Sequence, residues 1–71
     1  MSNNEKLLNA LNQFKNSARD ISRLWHQVDE KTARNLCDDY PFPNDFDEVV
    51  YKIEDWVLTQ QKLMIDPSVL P

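Results

Sequence analysis

None of the 71 residues in this chain is glycine, although average usage of roughly 7% would supply about five. Glycine is the default wherever the backbone takes positive φ or must approach a ligand closely. Its absence therefore excludes a P-loop, a Rossmann fingerprint, a nucleophile elbow and an EF-hand loop. Asn-Gly and Asp-Gly hairpins are excluded as well, which weighs against β structure. Every break in the chain has to be made by Asn, Asp or Pro. An all-α fold is what remains.

The apolar spacing agrees. Leu7, Leu11, Phe14, Ala18, Ile21, Trp25 and Val28 alternate steps of four and three, a heptad seam widened by Leu8, Ala10 and Leu24. Ser2, Asn3 or Asn4 can cap its start, and the pattern predicts one long helix over about residues 4–28. Continuing the same phase would put Thr32, Asn35 and Asp39 on the core face. The apolar residues instead fall at Ala33, Leu36, Cys37 and Tyr40. The register has slipped, so a break is expected near Asp29, itself a good N-cap for a short helix over about 30–38. A single kinked helix running to residue 37 is the alternative.

Tyr40-Pro41-Phe42-Pro43-Asn44 reads as a connector stiffened by two prolines. Asn44 or Asp45 then caps a third helix over about 45–65, with Glu48 placed for a capping box. Its core face reads Phe46, Val49, Val50, Ile53, Trp56, Val57, Gln60, Leu63 and Met64. Residues 1–66 thus form one helical domain with 67–71 as a tail. The fold is a small helical hairpin or three-helix bundle, with Trp25 and Trp56 expected near its centre and Cys37 as a small core residue. So short a chain builds only a marginal core, and pairing into a four-helix bundle would relieve that.

With Cys37 as the lone cysteine, no intrachain disulfide forms. The first residues lack a basic segment followed by an apolar one, and the longest apolar runs span three residues. A cytoplasmic protein without membrane contact is expected.

Charge is uneven. The chain carries 12 acids and 8 bases for a net −4, but residues 29–55 alone hold nine acids and three bases. Within that stretch Asp38, Asp39, Tyr40, Phe42, Asp45, Asp47 and Glu48 crowd together, a composition suited to a basic protein partner. The plainer reading is that Asp45, Asp47 and Glu48 favour a helix N-terminus while Phe42 and Phe46 plug the end of the bundle. A second candidate is Tyr51, Leu58 and Ile65, which recur every seven residues on another face of the third helix, beyond Asp47, Glu54 and Gln61. They read as a homodimer or partner stripe, or as a face covered by the short helix or the tail.

Other constellations are weaker. Lys15, Arg19 and Arg23 make a short basic stripe on the first helix, a small nucleic-acid footprint in an acidic chain. A solvated face, or pairing with the acidic segment of a second subunit, explains it better. His26 has no second histidine to share a metal with, and no motif supports a Cys-His pair. Tyr40-Pro41 followed by a helix carrying Trp56 resembles the small nuclease-toxin immunity proteins over a few residues, without a counterpart to their further helix. The reading is a non-enzymatic interaction module without cofactor or metal, a small microbial or phage regulator or inhibitor of a basic, nucleic-acid-handling protein. A homodimeric assembly subunit is the alternative.

Overall fold

The computed structural model describes residues 2–65, and the predicted tail lies outside them. The described chain is three helices: α1 (Asn3–Trp25), α2 (Glu30–Asn35) and α3 (Phe46–Ile65). The Ser2 hydroxyl caps α1 by accepting the Glu5 amide at 3.2 Å. Asp29 caps α2 in the same way, accepting from Thr32 N at 2.9 Å.

Two helices are shorter than their sequence pattern predicts. α1 ends at Trp25, not residue 28, because the amides of Gln27 and Val28 both turn back to the Leu24 carbonyl and Asp29 is already extended for its capping role. α2 ends at Asn35, not 38, and closes in turns that lead to Asp39 at φ 55°. That is the left-handed region where glycine is the default, and aspartate tolerates it better than most residues. Among the described residues Asp39 alone takes a positive φ.

α1 and α3 pack antiparallel, and three polar pairs fix the register. Asn12 meets Gln61 at 2.7 Å, Arg19 meets Glu54 at 3.0 Å, and His26 meets Asp47 at 3.2 Å. Each step of seven up α1 is a step of seven down α3. These rungs line one flank. The core beside them is Leu11, Ala18, Val49, Val50, Ile53 and Val57, with Leu8 and Phe46 against it, and Val57 at its centre is 0% exposed. Ala18, with no side chain beyond Cβ, is 2% exposed at mid-length of α1.

Several predicted core residues lie elsewhere. Leu7, Phe14, Ile21 and Val28 belong to the α1 seam, yet they are exposed, Phe14 to 48%. At about 100° per residue the line of Leu7, Phe14 and Ile21 sits some 40–60° around the helix from Leu11, Ala18 and Trp25, and α3 covers only the latter line; Val28 lies in the turn beyond α1. Trp56 is 51% exposed, and Leu63 is exposed beside it. Cys37 and Leu36 are exposed too, since a six-residue helix without a buried residue cannot form a core layer.

Candidate functional site

The bend of the hairpin is closed by aromatic rings. Trp25, at the end of α1, stacks on Phe46 with centroids 5.8 Å apart and meets Tyr40 edge-on at 5.9 Å. Phe42 bridges Tyr40 at 5.5 Å and Phe46 at 6.2 Å. Such pairs stabilise by roughly 0.5–1.5 kcal/mol each beyond area burial. The Tyr40 hydroxyl donates to the Asn44 carbonyl at 2.7 Å, fixing the proline connector, while Lys52 Nζ donates to Asn44 Oδ1 at 3.1 Å. Loss of water around the ring, then the negative charges of Asp45 and Cys37, push the Tyr40 phenol up from its ordinary value. Two of the predicted partner-binding aromatics, Tyr40 and Phe42, therefore hold the bend together.

The acids of the segment divide. Asp47, itself exposed, reaches across to α1, accepting from the Ser22 hydroxyl and meeting His26 Nε2 at 3.2 Å. Asp38, Asp39, Asp45 and Glu48 are exposed, and none joins an ion pair among the described residues. Two shallow clefts open beside them. One of about 280 Å³ is lined by Ser22, Trp25, His26, Asp45, Phe46 and Asp47; the other, of about 340 Å³, lies over Cys37, Tyr40, Phe42 and Pro43.

Ser22, His26 and Asp47 are the residue types of a nucleophilic triad, in the wrong order. Catalysis needs the histidine between serine and aspartate to take the hydroxyl proton. Here Asp47 stands between the other two, and Ser22 donates to the carboxylate. The cluster is an interhelical clamp. Hydrogen bonds from Ser22 first, and then from His26, hold the Asp47 carboxyl below its usual 3.8.

A carboxyl lowered by folding contributes stability above its unfolded pKa and loses it as pH falls through the folded value. Asp29, lowered by its Thr32 bonds, acts in the same direction. The urea midpoint should therefore drop as pH falls below about 4, and Asp47→Asn should flatten that drop. Parallel acid limbs for the two proteins would show that the clamp contributes nothing.

The stripe predicted on α3 is open. Tyr51 is 70% exposed and Leu58 is exposed one heptad on, so α2 does not fold over them. Ile65 ends α3, and its side chain lies outside the described residues. The basic stripe of α1 is partly occupied, because Arg19 pairs with Glu54 and Arg23 with Asp20.

A further exposed apolar surface among the described residues escaped the sequence reading. On the flank opposite the polar rungs, Leu7, Phe14 and Ile21 of α1 run beside Trp56 and Leu63 of α3, all exposed, with Leu24 at the margin and Val28 in the turn beyond α1. Between Leu7 and Val28 that side of α1 offers Ala10, Ser17 and Leu24 and no charge; across it α3 offers Thr59, Gln60 and only Lys52. Ala18 was the available signal, since the line holding the small residue is the one that approaches α3.

No group of His, Cys, Asp or Glu suited to a metal occurs among the described residues, and no described helix is long and apolar enough to cross a membrane. No protein-family model, curated protein or solved structure matches the chain.

Proposed function

We propose that this chain is a non-enzymatic protein–protein interaction module whose working surface is the open apolar flank of the α1–α3 hairpin. The observation that carries it is the heptad line Leu7, Phe14 and Ile21 of α1, left exposed beside Trp56 and Leu63 of α3. Scattered apolar residues on a surface are ordinary, whereas a contiguous uncharged patch of large side chains marks an interaction site. Seven-residue spacing on two antiparallel helices suits a helical occupant, and Trp56 and Phe14 are anchors of the kind that dominate interface energies. A small regulator or inhibitor would act by occupying such a surface on its target.

A second reading rests on the bend. Asp38, Asp39, Asp45 and Glu48 are exposed and outside ion pairs among the described residues, which favours a basic protein partner steered to this end by charge. One experiment separates the two. The immobilised protein is compared with Phe14→Glu/Ile21→Glu and with Asp38→Lys/Asp39→Lys/Asp45→Lys in capture from the native source, read by mass spectrometry. Captured proteins should be lost with the first variant and kept with the second. The converse pattern selects the bend, and identical capture by all three contradicts both readings.

A further inference from the structure

Resting on the reading of the open flank as an interaction surface, we infer that its occupant is a second copy of this chain, packed antiparallel to the first as a four-helix bundle. The lone hairpin buries six side chains, none larger than leucine or isoleucine, while Leu7, Phe14, Ile21, Leu24, Val28, Trp56 and Leu63 remain about half exposed. Taking about 150–200 Å² for each large side chain, covering the six of these that lie on α1 and α3 in two copies removes about 1,000 Å² from water, the threshold of a specific interface. The exposed apolar area is what a two-fold dimer needs, and it comes from one continuous flank.

Charge favours self-pairing and selects the orientation. The flank itself is almost uncharged, so a basic or acidic partner would find nothing there to pair with, whereas an identical copy meets no repulsion. Along the hairpin the charges separate. Residues 17–55, around the bend, hold ten acids and five bases; residues 2–16 and 56–65, at the other end, hold one acid and three bases. Parallel packing would set two strongly negative bends side by side. Antiparallel packing sets each bend against the mildly positive end of its neighbour. In that arrangement the two-fold axis passes near Phe14, halfway along α1, and Leu7 of one copy faces Ile21 of the other.

The test uses the intact chain and its one cysteine, which is exposed at the bend. Sedimentation equilibrium should give twice the chain mass, and a nitroxide on Cys37 should report an intermolecular separation beyond the α1 length of roughly 35 Å. Phe14→Glu should weaken pairing at least a hundredfold. Should that variant unfold, the label distance on the otherwise unaltered chain still decides the orientation. Labels close together would overturn antiparallel packing. A monomer across the accessible concentration range would overturn self-pairing altogether. If that monomer still captured another protein through Phe14 and Ile21, the interaction surface would stand and only the second copy would fall; if it captured nothing, both would fall.

Discussion

Val57→Asp should abolish the fold, while Leu58→Asp, one residue further along α3, should leave it intact. Val57 is 0% exposed, at the centre of the core among the described residues, whereas Leu58 is 49% exposed on the outer flank. An unpaired carboxylate at position 57 loses its water and finds no cation, a burial that costs about 4 kcal/mol or more. At roughly 0.05–0.15 kcal/mol per residue, a chain of this size has only about 4–11 kcal/mol in total. The far-ultraviolet helical signal of Val57→Asp should collapse at 25 °C. Leu58→Asp should change stability by no more than about 0.5 kcal/mol. Val57→Ala provides a graded point, a loss of about 2 kcal/mol from two missing carbons and the space they leave. Equal stability of the two aspartate variants would mean that the α3 face is assigned wrongly.

That contrast between neighbours reflects how much was legible. The number of helices, the break before Asp29 and the proline connector followed from spacing and cap chemistry, because these depend on residues a few positions apart. Phe42 and Phe46 at the bend followed too, but Trp25, expected near the centre of the bundle, closes the bend with them and Tyr40. What stayed hidden was which of two heptad lines on α1 would meet α3. Leu7, Phe14, Ile21 and Val28 are as apolar as Leu11, Ala18 and Trp25, and periodicity treats both as one seam. One partner helix covers only part of that width. Ala18 and the polar rungs settle the choice in three dimensions: once Asn12, Arg19 and His26 face Gln61, Glu54 and Asp47, the line on the far side of the core must remain open.

The candidate site was legible in composition and less so in placement. Asp47 was counted with the acidic surface, yet it serves the helix–helix contact through Ser22 and His26. A carboxylate on the interface edge of an amphipathic helix has the same local sequence whether it faces solvent or a histidine on another helix. Trp56 was placed in the core because its spacing fits the seam; it fits equally well the margin of a wider core that needs two more helices. Under the proposed self-pairing, the long seam is the sequence of half a bundle.

The other large effect follows from that conclusion and needs no substitution. If folding is completed by a second copy, unfolding also dissociates the pair, and stability must depend on protein concentration. A hundredfold increase in concentration favours the folded dimer by about 2.7 kcal/mol. With an unfolding entropy of about 2.1 cal/mol/K per residue, two chains of this length should then gain roughly 9 °C in Tm. Thermal unfolding followed by circular dichroism over that range is the most direct measurement of whether the open flank is half of a shared core. A Tm that climbs by several degrees with concentration, and ceases to do so in Phe14→Glu, is the predicted result; a Tm independent of concentration in the unaltered protein would contradict it.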